Sequence, residues 1–290
     1  VSTVDDIAWI TNLRGCDVTY NPVFMAHLLL ARDGERVTGR LFVGAGKVPP
    51  ALAAALAADG ITLAPYAEAG AALAALGAGH TLLVDPKRIT HGLRQRVGAD
   101  CRVVEQINPS TLLKSRKSAA EAANVREAMI EDGAAMCAFY AWFEAALARG
   151  ERITELTVDE KLSAARARRA NFVGLSFPTI AGFNANGAMP HYRATDEHHA
   201  LIAGDGLLLI DSGGQYLGGT TDITRVWPIG TISDAMRRDY TLVLKGTMAL
   251  SRARFPRGTP SPMLDPIARA PLWAEGIDFG HGTGHGVGYF

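Results

Sequence analysis

The chain has 290 residues, enough to bury a good core and to divide into two domains. Lys and Arg number 29 against 29 Asp and Glu, so the formal charge is zero and gives no global electrostatic case for nucleic acid or an anionic membrane. No run of 18 apolar residues occurs, so no helix spanning a membrane is expected. Three widely spaced cysteines without a CxxC pair (Cys16, Cys101, Cys137) signal neither a zinc knuckle nor a disulfide framework. They are expected to be buried thiols in a reducing, cytoplasmic compartment.

In chain order, "IAWITNL", "GRLFVGA", "ITLAPY", "TLLVD" and "CRVVEQ" are short apolar runs bounded by Gly, Pro or polar residues, and they predict buried strands. Between them, "PPALAAALAADG" and "AGAALAALGAG" predict alanine-rich helices closed by glycine. This alternation implies an α/β unit with a largely parallel sheet. A boundary falls near "NPSTLLKSRKS", which divides the chain into residues 1–110 and 111–290.

Ser118 and Glu121 then form a capping box that opens a long helix closed by Gly150. Thr157 and Glu160 predict a second one, starting "VDEKLSAARARRA", whose Arg166, Arg168 and Arg169 read as a solvated face. The pattern changes to β through "FVGLSFPTIAGF" and "LLLIDSGGQYLGGTTDITRVWPIG", after which Ser233 caps a third helix. Helices followed by hairpins predict an α+β second domain.

The stretch "LLLIDSGGQYLGGTTDITRV" carries Asp211 and Asp222 on the two arms of a glycine-rich turn. A hairpin turning near Tyr216–Gly219 puts the carboxylates roughly opposite each other on one face. Asp is depleted in strands and costly to bury unpaired, so Asp211 needs a partner. A divalent cation is one such partner and Arg225 is the alternative.

The chain closes on "GHGTGHGVGYF". His281 and His285 have the i, i+4 spacing of HExxH peptidases, but that motif needs a helix and a Glu, and alternating glycines exclude it. The run also fails to match G-x-G-x-x-G or a phosphate loop. Period-two glycine predicts an extended segment with something close to its backbone, and with His281, Thr283 and His285 on one face. His191, after "NANG" and Pro190, is a third candidate imidazole, whereas His198 and His199 read as surface residues. Two Asp and one His form an oxygen-rich set suited to Mn²⁺, Fe²⁺ or Co²⁺, though too small for two metals.

At these residues the chain resembles the pita-bread metallopeptidase family, which includes methionine aminopeptidase, prolidase, Xaa-Pro aminopeptidase and the metal-free creatinase. Within that family it resembles the Xaa-Pro aminopeptidase branch. The resemblance rests on "IAWITNLRGCDVTYNPVF", "FPTIAGFNANGAMPHY", "DSGGQYLGGTTDITR", "VLKGTMALSRARFPRGT" and "HGTGHGVG", in order, and covers essentially the whole chain. It implies a creatinase-type α/β domain at 1–110 followed by a pita-bread catalytic domain at 111–290. By the same resemblance Asp211 is a terminal metal ligand, Asp222 bridges two metals and His285 is the imidazole ligand. His191 and His281 then position substrate and stabilise the tetrahedral intermediate.

The cofactors implied are two divalent ions, Mn²⁺ foremost, with Co²⁺, Fe²⁺ or Zn²⁺ as alternatives. The activity implied is hydrolysis of the bond between an N-terminal residue and proline, in a cytoplasmic homodimer. Two further glutamate ligands and another histidine would follow Phe290, and a further domain would precede Val1. The chain is therefore expected to be cut at both ends. An X-Pro dipeptidase, a metal-free creatinase-like enzyme and an inactive binding homologue are the alternatives.

Overall fold

Val4–Thr11 is a helix, α1, where the apolar run starting at Ile7 reads as a strand. Asp5 and Asp6 in its first turn favour the helix N-terminus, and Asn12 closes it in the left-handed conformation at φ 52°. A short apolar run fits either period, and here the packing of Ile7 and Ala8 decides for the helix. The computed structural model describes all residues 1–290, which fold as two units, Val1–Ala119 and Ala120–Phe290.

In the first unit, β1 (Ala26–Asp33) pairs antiparallel with β2 (Arg36–Val43) across Gly34, whose φ of +59° suits glycine. The helix α2 (Pro50–Ala58) carries the chain to β3 (Ile61–Pro65), which lies parallel to β2. Next come α3 (Ala69–Ala74), β4 (Thr81–Val84), α4 (His91–Gln95) and β5 (Arg102–Glu105), with β4 and β5 forming a separate parallel pair. The expected largely parallel sheet is thus two small sheets, one of them mixed. The strand β1 goes unseen in sequence because only Ala26 and Leu28 of it are deeply buried. The helix α5 (Pro109–Ser115) joins this unit through Lys114, whose ammonium lies between Asp5 and Asp6, 2.8 Å from the latter. Only Cys101 is a buried thiol; Cys16 and Cys137 are exposed, contrary to expectation.

The second unit opens with α6 (Ala119–Ala148), which ends as its sequence predicts: Gly150 has φ +70° and donates its N–H to the Leu147 carbonyl. The helix α7 (Glu155–Ala167) starts earlier than expected, because Thr154 and Thr157, not Thr157 and Glu160, make the reciprocal cap. The strands β6 (Phe172–Leu175) and β7 (Ile180–Phe183) precede β8 (Gly206–Ser212), β9 (Gly214–Tyr216), β10 (Gly219–Thr220) and β11 (Ile223–Ile229). They form two antiparallel sheets, ordered β11-β8-β7 and β10-β9-β6. Phe139 and Phe143 of α6, Val158 and Leu162 of α7, and Leu208 and Ile210 of β8 make one core. Each such side chain contributes roughly 1.5–3 kcal/mol by burial.

Ser233 caps α8 (Asp234–Arg252) as expected, accepting from the Met236 N–H at 3.2 Å. No sequence signal predicts α9 (Asp265–Trp273), since Pro266 and Pro271 mask its period. No helix is long and apolar enough to cross a membrane.

Candidate metal centre

The strand β8 alternates strictly, sending Leu208, Ile210 and Ser212 inward and Asp211 to the other face. Its register with β11 sets Thr224 opposite Asp211 and Ile223 opposite Ser212. Asp222 is two residues from Thr224, so it shares the face of Asp211 as a diagonal neighbour. The turn falls where the sequence places it, with Gly219 paired to Tyr216. Between Asp211 and that turn the chain changes sheets at Gly213. A Cβ there would sit 2.0 Å from the Thr221 carbonyl oxygen and 2.4 Å from Ser176 Oγ.

The two carboxylates interact directly as neighbours. Burial, then the charge of Asp211, holds the Asp222 carboxyl above the usual range, and His285 opposes this. His285 Nε2 lies 3.3 Å from Asp222 Oδ2. Its Nδ1 is 3.0 Å from the Gly286 carbonyl, which only accepts, so Nδ1 carries the proton and Nε2 turns to the carboxylates. Asp211 Oδ1 is buried with no hydrogen-bond partner. The alternative partner, Arg225, instead donates to the Thr224 carbonyl at 2.8 Å.

These features fit a cation. Two carboxylates in mutual repulsion, an orphaned buried oxygen and a directed imidazole are satisfied together by a hard or borderline divalent ion. The three side chains are not gathered into a finished shell: no group of three or more His, Cys, Asp or Glu residues is arranged to hold a metal.

The glycine-rich terminal segment departs from expectation. It forms no strand, and a Cβ on Gly280, Gly282, Gly284, Gly286 or Gly288 would meet nothing within 4 Å. Its ties are few: the Thr220 N–H donates to the Gly288 carbonyl at 3.0 Å, and Arg269 grips the residues before His285. His281 Nδ1 is 2.7 Å from the Gly282 carbonyl, and its ring packs on Phe279 at 4.8 Å. His191 is exposed, with φ +60°. Neither His191 nor His281 hydrogen-bonds the carboxylate pair. The structure therefore unites Asp211, Asp222 and His285 and leaves His191 and His281 apart.

Two buried acidic hubs escape sequence reasoning. Asp132 of α6 takes Arg166 Nε at 2.6 Å, Tyr216 Oη at 2.9 Å and Thr221 Oγ1 at 2.8 Å. Arg166 is therefore not on a solvated face; it is fully buried, directly behind the hairpin that carries Asp222. Burial, together with Asp132, raises the Tyr216 pKa, keeping its hydroxyl a donor. Glu155 accepts from the Phe183 N–H, the Tyr192 hydroxyl and the Ala200 N–H at 2.7, 2.7 and 2.8 Å, which pins the loop around His191. The only sequence signal for either hub is an acidic residue at an apolar helical position, which a surface acid next to it mimics.

Residues 123–289 match metallopeptidase family M24, and residues 1–121 match the creatinase/prolidase N-terminal domain. The chain is 40% identical over 303 residues to a probable Xaa-Pro aminopeptidase P of Pyricularia oryzae, which covers all of this chain and 48% of that protein. It thus spans about half the length of the curated relatives it matches. The X-prolyl aminopeptidase of Caenorhabditis elegans, described as a cytosolic enzyme with a di-nuclear active site, superposes with a TM-score of 0.90 at 30% identity. That match covers 99% of this chain and 47% of the worm enzyme. The X-Pro aminopeptidase of Thermotoga maritima, 19% identical with a TM-score of 0.69 over 99% of this chain and 77% of its own, shares the fold. The creatinase-type α/β unit followed by a pita-bread unit is accordingly the architecture of this chain.

Proposed function

The chain belongs to metallopeptidase family M24, and on that premise we propose that the protein carrying it is a metal-dependent Xaa-Pro aminopeptidase. The observation that carries the reading is the half-buried Asp211–Asp222 pair, with the buried Asp211 Oδ1 unsatisfied and His285 Nε2 turned towards Asp222. Asp211, Asp222 and His285 would hold divalent metal. When bound, the ions supply Lewis acidity towards the scissile carbonyl and lower the pKa of the attacking water. The oxygen-rich donor set favours Mn²⁺, with Co²⁺, Fe²⁺ or Zn²⁺ as alternatives.

The remaining work falls to the chain's own groups. With Nδ1–H committed to the Gly282 carbonyl, the neutral ring of His281 presents Nε2 as an acceptor for a substrate N–H, and the imidazolium form would donate from Nε2 to the developing oxyanion. His191 faces substrate from a left-handed residue that is costly unless held. The neighbouring Tyr192 hydroxyl on Glu155 holds it, and its pKa is pushed up to about 12 by burial and by Glu155. The nitrogen of an X-Pro bond carries no N–H, so recognition cannot use that donor. A cytosolic homodimer that binds no nucleic acid completes the proposal. Its cytosolic location is supported by the description of the worm enzyme as cytosolic, and its indifference to nucleic acid by the balanced charge.

The test is to load the protein carrying this chain with Mn²⁺ and offer an X-Pro-Pro tripeptide beside an X-Pro dipeptide. Release of the first residue from the tripeptide, abolished by chelator, is expected. Turnover of the dipeptide alone, no release, or release indifferent to chelator overturns the reading.

A further inference from the structure

The terminal histidine segment lacks regular structure, yet it delivers His285 to 3.3 Å from Asp222. We infer that Arg269 of α9 is the positioning residue for this segment: its guanidinium fork sets the path of Asp278–Thr283 and so places His285 against the carboxylate pair. Arg269 is only 13% exposed and spends three of its four hydrogen bonds on one stretch of chain, Asp278–His281. Nε donates to Asp265 Oδ2 at 2.7 Å, one turn back on the same helix. Nη1 donates to Asp278 Oδ1 at 2.8 Å and to the Phe279 carbonyl at 2.6 Å, and Nη2 donates to the His281 carbonyl at 2.7 Å. The guanidinium also lies 3.9 Å from the centre of the Phe279 ring.

Asp265, steadied by Arg269, accepts from the Thr283 hydroxyl on its other oxygen. The segment is thus held at 278–283 by α9 and at Gly288 by Thr220, two residues from Asp222. His285 lies between these anchors. Because a Cβ on any of these glycines would meet nothing within 4 Å, these bonds must do what side-chain packing does elsewhere. A planar five-donor fork can hold a carboxylate and two carbonyls at fixed mutual angles, which a lysine ammonium cannot.

The test compares wild type with R269A, R269K and T283V by two readouts. In the metal-free protein, backbone order parameters of Gly282–Gly286 measured by ¹⁵N relaxation should be about 0.8 in wild type and fall below about 0.6 in all three variants, while α8 stays rigid. Calorimetric titration with Co²⁺, monitored also by its visible d–d absorption, should show affinity weakened about 10- to 100-fold and an altered band. This second readout rests on the metallopeptidase reading; the first does not. If R269K matches wild type in both readouts, charge balance alone suffices and the inference is overturned. Should R269A fail to fold, R269K and T283V decide. If wild type takes up no Co²⁺, the metal reading falls while the order parameters still judge Arg269, and unchanged values sink it.

Discussion

The candidate centre is assembled from two glycine-rich stretches that use glycine in opposite ways. In the hairpin from Gly213 to Gly219, glycine is there because nothing larger fits: a Cβ on Gly219 would lie 2.7 Å from that of Ala128, and one on Gly213 would strike the Thr221 carbonyl. In the segment from Gly280 to Gly288 the same residue sits in open space. The first arm is rigid because it is packed and networked. The second is held by a handful of hydrogen bonds and carries an imidazole 73% exposed to solvent. Glycine spacing alone therefore does not reveal whether a backbone is approached; only the neighbours do.

The sharpest way to break this contrast is to strip the hairpin of its support. R166A leaves the Asp132 carboxylate buried without its cation, at an expected cost of roughly 3–5 kcal/mol in denaturant unfolding. A loss below about 1 kcal/mol would mean that water reaches Asp132 and that the network is not closed. Next in size is a glycine comparison: G213A should cost about 1–3 kcal/mol by overpacking, while G284A should stay within about 0.5 kcal/mol of wild type. Equal costs would erase the distinction.

H285A should likewise leave stability within about 0.5 kcal/mol, since the ring is largely exposed, yet weaken Mn²⁺ binding at least about 10-fold by calorimetry. A variant that binds as wild type removes His285 from the centre. The smallest effect is a titration. Hydrogen bonds from Thr283, then Arg269, hold the Asp265 carboxyl below its usual 3.8. A depressed carboxylate pKa favours the folded state above pH 3.8, and that contribution disappears as pH falls through the folded-state pKa. Carboxyl ¹³C NMR should find the Asp265 midpoint below 3.8 in wild type and moved upward in T283V. An unmoved midpoint would mean that Thr283 does not tie the segment to α9.

Much of the frame was legible in the residues. The caps Gly150 and Ser233 and the turn at Tyr216–Gly219 each depend on local chemistry, and each lies where its sequence predicts. The assignment of Ile7–Leu13 to a strand failed because a seven-residue apolar run has no period to measure, and α9 was hidden by its own prolines. Reading Arg166 as a surface residue failed for another reason. Its partner Asp132 is 34 residues away on a different helix, and no local pattern pairs them.

The sequence by itself determined which residues are the candidates for chemistry: two aspartates on one hairpin and two imidazoles in a glycine run are set by residue type and spacing. Tertiary structure alone decided how they meet. Register made Asp211 and Asp222 diagonal neighbours, and Arg269 directs a segment that lacks any intrinsic conformation of its own. The physical reason is range: alternation, caps and turns act over a few residues, whereas burial of a charge and the choice of its partner depend on chain brought back from tens of residues away.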